Sequence, residues 1–430
     1  MKTLRPYPRA TITPKGEHAL GKGHPWVYEA EVVSLEPAPG EAAVANGSIV
    51  DVVSRKGSYL GSGLLSEKSK IRIRLITRNA NDRFDRAFWK RKVQWAWNYR
   101  KTVMGADASA CRVLFSEADG FPGLVVDRFE DVLVAETLSV GMERLKPMIF
   151  PALLEVLAED GIAIRGLYER NDASTRSLEG LAQTAGWFAG AAEDAACSLD
   201  PINPSQPEAA VFGPTTTQIM ENGVRYEVDF ENGQKTGFFL DQKYNRRAVA
   251  QLAAGRRVLD CFTHTGSFAL NAAHGGAEYV NAVDISELAV AQARKNAQLN
   301  ELDGKMDFTA ANVFDLLPQL EAAHDRTYDF IVLDPPAFTK SRKTIDSAAR
   351  GYKEINYRAM KLLPRGGYLA TCSCSHFMDT ERFRRVVSYA AQDAGVQLRQ
   401  IEERQQAPDH PILWGVPETD YLKFFLFQVV

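Results

Sequence analysis

The 430-residue sequence predicts an α/β protein built from three parts. After residue 255, apolar segments of strand length alternate with amphipathic helical segments, which is the pattern of a parallel sheet covered on both faces. The first 80 residues instead contain short strands between turn residues, the last of them in strict period two, which indicate a small β-barrel or sandwich. We therefore predict a β-barrel domain at 1–80, a connecting helix with a middle α+β domain at 81–215, and a mainly parallel α/β domain at 216–430.

Composition excludes several classes of protein. The chain is 45% hydrophobic and 24% charged, as globular proteins are. No apolar run approaches the roughly 20 residues that span a bilayer, and the N-terminal MKTLRPYPRA precedes no hydrophobic signal core. We expect a cytoplasmic protein without a membrane partner. The five cysteines form no disulfide framework, and the pair at 372 and 374 lacks further ligands for zinc, so no metal is expected.

The N-terminal domain is basic. Residues 1–104 contain 19 Lys and Arg against nine Asp and Glu, although the net charge of the whole chain is -3. The predicted strands are SIVDVVS, SYLGSGLLS and KIRIRLIT, and the last of these places Arg72 and Arg74 on one face. This charge indicates an anionic polymer as partner, with Arg72, Arg74 and the basic run at 90–92 as phosphate contacts; the alternative is a solvated basic face.

The middle of the chain mixes helical and extended patterns. Residues 85–104 predict a connecting helix whose aromatic side chains pack on a core or, alternatively, lie along RNA. The stretches ADGFPG and FED are turn signals between strands, and an apolar helix follows near 143–158. The Ala- and Pro-rich run at 190–210 predicts a connector without an assigned role. A hairpin is expected around 231–233, then a helix from near Asp241.

Ligands of parallel sheets bind beyond the carboxyl ends of the strands, and several predicted strands end in polar residues there. In VLDCFTHTGSF, Asp260 ends a strand and Thr263 to Gly266 form the turn into a helix. Asp284 ends the next strand, where a carboxylate binds ribose hydroxyls or, alternatively, caps the following helix. The stretch MDFTAANVF is predicted as one strand, in which an amide at Asn312 could bind an adenine edge.

The sharpest motif is IVLDPPAF at 331–338. Two successive prolines fix the backbone after Asp334 and make a rigid lip that presents the carboxylate to a planar substrate. A plain turn rarely needs both prolines after a buried acid. We therefore favour a functional role for Asp334.

Taken in order, LDCFTHTGSF, VDIS, ANVF and DPPAF resemble the motifs of class I S-adenosylmethionine-dependent methyltransferases. The stretch GKGHPWVYEAEV, with the strands after it, resembles a PUA domain, an RNA-binding pseudo-barrel. With QKTGFFLDQKYNRR and TCSCSH added, the whole chain resembles the rRNA large subunit methyltransferase I family, whose members make 5-methylcytosine in 23S rRNA.

This resemblance implies a Rossmann-like class I methyltransferase sheet, S-adenosylmethionine as cofactor and 23S rRNA as partner; a homodimer is left open. Many relatives carry Asp where this chain has Asn312. The implied cofactor-binding residues are Gln242, Asp260, Phe262, Thr263, Gly266, Asp284, Ile285, Asn312 and Asp334.

Methylation of cytosine at carbon 5 explains the two neighbouring cysteines, because that carbon is a poor nucleophile until a thiolate adds at carbon 6. Cys374 lies nearer the strand end and, by the resemblance, at the nucleophile position, whereas Cys372 falls on a packing position. Related enzymes often carry a second cysteine where this chain has Pro336, so the base that removes the carbon 5 proton is not identified. The catalytic candidates are Cys374, Asp334 and Cys372.

Two other functions compete with this one. An RNA amino-group methyltransferase would carry an aromatic residue directly after Asp-Pro-Pro, but here Ala337 precedes Phe338. A non-enzymatic RNA-binding protein would not need Asp334 or Cys374.

Overall fold

The computed structural model describes residues 5–189, 212–339 and 341–430, so the predicted connector at 190–210 lies outside the described residues. The chain forms two compact units. The first comprises Met1–Ile219, Val228–Phe238 and Pro408–Thr419, and the second comprises Met220–Glu227, Phe239–Ala407 and Asp420–Val430. None of the described helices is long and apolar enough to cross a membrane.

The first unit begins with a six-stranded sheet in the order β2-β6-β5-β4-β1-β3. Helix α1 (Pro14–Gly21) begins after Thr13, whose hydroxyl accepts the Gly16 amide. The three strands predicted for this domain are β4, β5 and β6, and the buried Val50, Val52 and Ile73 contribute to the core of this sheet. The strands are β1 (Arg9–Ile12), β2 (Trp26–Tyr28), β3 (Val32–Glu36), β4 (Ile49–Val53), β5 (Tyr59–Leu65) and β6 (Ile71–Thr77).

The charged face of β6 is neutralised within the first unit. Arg72 lies 2.5 Å from Glu29, and Arg74 lies 2.9 Å from the buried Glu179. Because an ion-paired guanidinium must give up its partner before it binds phosphate, we now expect these two residues to contribute less to phosphate binding than the exposed basic residues of this domain. Lys92, from the run at 90–92, is half-buried, with Nζ 3.0 Å from a backbone carbonyl.

A second sheet of the first unit has the order β11-β10-β9-β8-β7, which confirms a middle α+β region. The connecting helix α2 (Arg86–Met104) buries Trp89 and Trp97 but leaves Trp95 exposed. The other elements are β7 (Ala110–Phe115), α3 (Ser116–Asp119), β8 (Leu124–Phe129), β9 (Val132–Thr137), α4 (Val140–Glu159), β10 (Gly166–Asn171) and β11 (Thr184–Trp187).

The segment Pro408–Thr419 also belongs to the first unit, although it is remote in sequence from the rest of that unit. The Asp409 carboxylate accepts the Arg112 amide at 2.8 Å. The Asp409 carbonyl accepts Nη2 of Arg100 at 2.9 Å, and the Arg100 side chain is fully buried. This late segment therefore completes the hydrogen bonding of a buried cation.

The expected hairpin around 231–233 was wrong, because the hairpin lies one Asn-Gly pair earlier. Strands β12 (Thr216–Glu221) and β13 (Val224–Asp229) flank Asn222 and Gly223, both of which have positive φ, as a tight hairpin turn requires. The second pair, at 232–233, follows β13 in a turn that the Asp229 carboxylate stabilises by accepting two backbone amides. Two identical Glu-Asn-Gly stretches made the local signal ambiguous.

The second unit contains a seven-stranded sheet in the order β16-β15-β14-β17-β18-β20-β19, with β20 antiparallel to both its neighbours. This confirms the predicted Rossmann-like sheet. The strands are β14 (Arg257–Cys261), β15 (Tyr279–Asp284), β16 (Met306–Ala310), β17 (Phe330–Leu333), β18 (Tyr368–Ser373), β19 (Leu398–Arg404) and β20 (Lys423–Val429). The helices are α5 (Lys243–Leu252), α6 (Ser267–His274), α7 (Glu287–Leu299), α8 (Val313–Ala322), α9 (Ile345–Leu362) and α10 (Thr380–Ala394).

One helix of this unit was missed from the sequence. The stretch MDFTAANVF is not one strand, because β16 ends at Ala310 and α8 begins at Val313. The Asn312 side chain accepts the Phe314 amide and so caps α8. Asn312 therefore lies beyond the end of β16 and directly before α8.

Candidate active site

The carboxyl ends of β14, β15, β17 and β18 bring most of the predicted site residues to one edge of the sheet. The strand order reverses between β14 and β17, which is where open α/β sheets form a ligand crevice. Asp260 and Asp284 lie at the ends of β14 and β15, Asp334 directly follows β17, and Cys374 directly follows β18.

Asp260 organises the first turn of the crevice. Its Oδ2 accepts the Thr263 hydroxyl at 2.5 Å and the Ala269 amide at 2.8 Å, whereas its buried Oδ1 has no partner within the described residues. Burial raises the pKa of Asp260 to about 7, because desolvation penalises the carboxylate more than the two hydrogen bonds stabilise it. This carboxyl has a free lone pair for a ligand.

The turn between β14 and α6 has an unusual backbone. Phe262, His264 and Gly266 all have positive φ. A side chain at Gly266 would also meet the Ala293 Cβ at 2.9 Å, so glycine permits both the conformation and the approach of α7. The backbone here can approach a ligand closely, as predicted.

Asp284 is held in place by the backbone rather than used as a helix cap. It accepts the His264 and Ser286 amides, each at 2.9 Å. The cap of α7 is Ser286, whose hydroxyl accepts the Ala289 amide. A carboxylate has about four acceptor positions, so Asp284 can still bind two hydroxyl groups. Beside it the Ile285 side chain is 72% exposed.

An aromatic cluster that the sequence did not reveal lies at the same edge. The rings of Phe262, Phe314 and Phe338 have centroids 5.7 to 6.5 Å apart. Asn312 lies beside them, but its amide already donates to Asp315 at 2.9 Å. Phe262 directly follows β14, and Phe314 and Phe338 lie in the segments after β16 and β17, which was the available signal in the sequence.

Asp334 lies in a polar network of its own. Its Oδ1 accepts Nε2 of Gln242 at 3.0 Å, and the Gln242 carbonyl accepts Asn245 at 2.6 Å. Loss of hydration and then the charge of Asp241 raise the pKa of Asp334 to about 7, against hydrogen bonds from Cys372 and Gln242. The predicted cofactor residue Gln242 therefore contacts Asp334.

The two neighbouring cysteines differ in environment. Cys372 is fully buried, and burial raises its thiol pKa well above the ordinary value. Cys374 is partly exposed, and its Sγ lies 3.9 Å from the Pro335 carbonyl. Cys374 is therefore the accessible thiol beside the Asp-Pro-Pro lip. Within the described ranges, no three His, Cys, Asp or Glu side chains lie close enough to hold a metal ion.

Lys423 in β20 was missed from the sequence, where it is a single lysine in the apolar stretch YLKFFLFQVV. It is 3% exposed, and its Nζ donates to the carbonyls of Ser375 at 2.6 Å and Tyr421 at 2.7 Å. Its position depends on the pairing of β18 with β20, where Lys423 lies opposite Ser373. A strand pairing between distant segments cannot be seen in a local pattern.

The groups at this edge fit S-adenosylmethionine. The free Oδ1 of Asp260 suits an ammonium group, Asp284 suits two ribose hydroxyls, and Ile285 and Phe314 offer apolar surface to a flat base. This set combines acidic and apolar groups.

Comparisons with known proteins agree with this fit. A family model for S-adenosylmethionine-dependent methyltransferases matches residues 165–427, and one for PUA-like domains matches residues 10–78. The chain is 35% identical over 426 residues to ribosomal RNA large subunit methyltransferase I of Klebsiella pneumoniae, with 99% of each chain covered. It is 36% identical to the protein of that name from Aliivibrio fischeri, with 96% of this chain and 97% of the other covered.

Two solved structures have a similar fold. A candidate SAM-dependent methyltransferase from Streptococcus mutans is 21% identical, with a TM-score of 0.76 and coverage of 98% of this chain and 100% of the other. A candidate methyltransferase complexed with SAH is 22% identical, with a TM-score of 0.77 and the same coverage. At these identities the similarity concerns the fold alone.

Proposed function

This chain belongs to the rRNA large subunit methyltransferase I family of S-adenosylmethionine-dependent enzymes, and from that membership we propose that it forms 5-methylcytosine in 23S rRNA through a covalent adduct with Cys374. The relatives named above act, by name, on ribosomal RNA of the large subunit. The observation that carries the proposal is the position of Cys374, a partly exposed thiol 3.9 Å from the carbonyl that follows Asp334.

The proposed role of Cys374 is nucleophilic addition. Its thiolate forms a bond to carbon 6 of cytosine, which makes carbon 5 electron-rich enough to accept a methyl group. S-adenosylmethionine, when bound, supplies that methyl group as an electrophile. A base then takes the proton from carbon 5, the bond between sulfur and carbon 6 breaks, and the thiolate is restored.

Asp334 is proposed to hydrogen-bond ring nitrogen 3 or the exocyclic amine of the cytosine. With a pKa raised to about 7, a substantial fraction of this carboxyl is protonated near neutral pH and can donate to nitrogen 3. Such a bond stabilises the adduct, because negative charge develops on the ring when the thiolate adds. Cys372, as a buried neutral thiol bonded to Asp334, is proposed to orient that carboxyl.

The PUA-like domain is proposed to bind the RNA. The proposal rests on its charge, because Lys22, Arg55, Lys56 and Lys70 are exposed even though Arg72 and Arg74 are paired. A homodimer stays a hypothesis, which light scattering of the purified protein tests.

The decisive experiment is single-turnover methylation by Cys374→Ala and Cys372→Ala, with trapping on RNA that contains 5-fluorocytosine. We expect Cys374→Ala to lose both methylation and the trapped adduct, and Cys372→Ala to retain the adduct. Full activity of Cys374→Ala would exclude the covalent mechanism. Loss in Cys372→Ala alone would assign the nucleophile to Cys372, and product digestion would reveal an amino-group product.

A further inference from the structure

Lys423 is a buried cation for which the reaction described above has no use. Its ammonium donates to the carbonyl of Ser375, the residue that follows Cys374, and to that of Tyr421. An ammonium has three N–H groups, and the bonds found within the described residues use two of them. The third N–H is available for a further acceptor. A buried lysine also carries a desolvation penalty, which an apolar side chain at this strand position would avoid.

Lys423 is buried but has a cavity beside it. It lines a cavity of about 410 Å³ together with Thr380, Glu403, Arg404, Gln405 and Phe425. Arg404 and Glu403 are occupied there by ion pairs with Glu402 and Arg384 respectively. Lys423 therefore lines this cavity, and its ammonium bonds the residue that follows Cys374.

We propose that the Lys423 ammonium stabilises the thiolate of Cys374, so that Lys423 is a positioning residue for the nucleophile. The inference rests on the proposed function, since it gives the reason for a charge beside that thiol. A thiolate, not a thiol, is the reactive form of cysteine, and a neighbouring lysine favours it. The two bonded carbonyls fix the ammonium, so this charge needs no rearrangement when the thiol ionises.

The surrounding charges oppose one another. Burial lowers the pKa of Lys423 to about 8, while the charges of Cys374, Asp420 and Asp379 raise it. Tyr352 and Cys372 also interact electrostatically with Cys374, but burial raises the pKa of both groups, so both are neutral near neutral pH. The carboxylate form of Asp334 adds to the effect of burial on both groups and is the negative charge that they share. A neighbouring cation therefore favours the thiolate form of Cys374.

The test is the pH dependence of alkylation of Cys374 by iodoacetamide, followed by mass spectrometry without RNA or cofactor. Cys111, Cys261 and Cys372 are buried, and Cys197→Ser removes the remaining cysteine from every protein compared. In Lys423→Met we expect the alkylation midpoint to rise by about one pH unit, with a roughly tenfold slower reaction below it. Lys423→Arg should restore most of the shift, and Lys295→Met, on the exposed side of α7, should leave the midpoint unchanged.

A midpoint in folded Lys423→Met equal to that of the unsubstituted protein overturns the proposal. If Lys423→Met does not fold, the reciprocal measurement decides. The ε-carbon resonance of ¹³C-labelled Lys423 should then titrate at lower pH in Cys374→Ser, because coupled groups shift each other equally, and an unchanged midpoint overturns the proposal. The adduct mechanism is tested by a separate experiment. It fails if Cys374→Ala retains full methylation activity.

Discussion

Gln242 donates a hydrogen bond from its side-chain amide to Oδ1 of Asp334 at 3.0 Å. The family resemblance places Gln242 in the cofactor pocket, whereas this bond connects it to the carboxyl proposed to recognise cytosine. Both oxygen and nitrogen of the Gln242 amide are occupied, the oxygen by Asn245. The two roles lead to different results when the amide is removed.

For Gln242→Leu, we expect about a tenfold loss in single-turnover methylation, which corresponds to one hydrogen bond to an ionisable group at about 1.5 kcal/mol. The affinity for S-adenosylmethionine should change less than twofold in calorimetry. Gln298→Leu, an exposed position of α7, is the control. A large loss of cofactor affinity with an unchanged methylation step would show instead that Gln242 binds the cofactor.

Asp284→Ala should weaken binding of S-adenosylmethionine by some thirtyfold or more, because two charge-assisted hydrogen bonds are worth about 2 to 4 kcal/mol. Ser286→Ala is the matched control, since it removes the cap of α7 and should cost about 1 kcal/mol of stability without changing affinity. Calorimetry and thermal unfolding distinguish the two. Unchanged affinity of a folded Asp284→Ala protein would show that the ribose assignment is wrong.

Asp260 should make the folded protein less stable as pH rises. Its pKa is about 7 in the folded state and 3.8 ordinarily, so between these values the folded state holds a proton that the unfolded state has released. The unsubstituted protein should therefore lose stability from pH 4 to 7, by on the order of 4 kcal/mol at most from this group.

Chemical unfolding of Asp260→Asn at several pH values checks this, because the variant should show a smaller loss over that range. Asp303→Asn, at an exposed carboxylate, should retain the full pH dependence. Identical slopes of the free energy of unfolding against pH for Asp260→Asn and the unsubstituted protein would contradict the prediction.

RNA affinity should depend on exposed basic residues of the PUA-like domain. Substitution of both Arg55 and Lys56 by Gln should weaken RNA binding. The slope of log affinity against log salt concentration should become less steep by up to about 0.7 per lost phosphate contact. Arg72→Gln breaks an ion pair and should leave the salt dependence unchanged. The measurement is RNA binding at several salt concentrations, and equal slopes for all three proteins would exclude this surface.

Much of the fold was predictable because its signals are local. The alternation in KIRIRLIT predicted β6, and apolar strands ending in Asp260, Asp284 and Asp334 predicted one edge of a parallel sheet. The predictions that failed concern residues at the junction of two elements or residues whose partners are distant in the sequence. Asn312 lies between the end of β16 and the start of α8, so a single strand was predicted where two elements meet.

The partners of the basic side chains could not be predicted for the same reason, their distance along the chain. Arg74 finds Glu179 across 105 positions of sequence, and Lys423 reaches Ser375 through the pairing of β18 with β20. Neither partner follows from a window of neighbouring residues. The composition correctly indicated basic residues but not which of them were already paired.

The path of the chain between its two units has a consequence for how the protein is made. The first unit includes Pro408–Thr419, and Asp409 supplies a carbonyl to the buried Arg100. On a translating ribosome, the N-terminal part therefore cannot complete this unit until residue 419 has been synthesised. A truncated gene ending before that point would leave a guanidinium inside the protein with a missing acceptor, and no single cut in the polypeptide releases either unit intact.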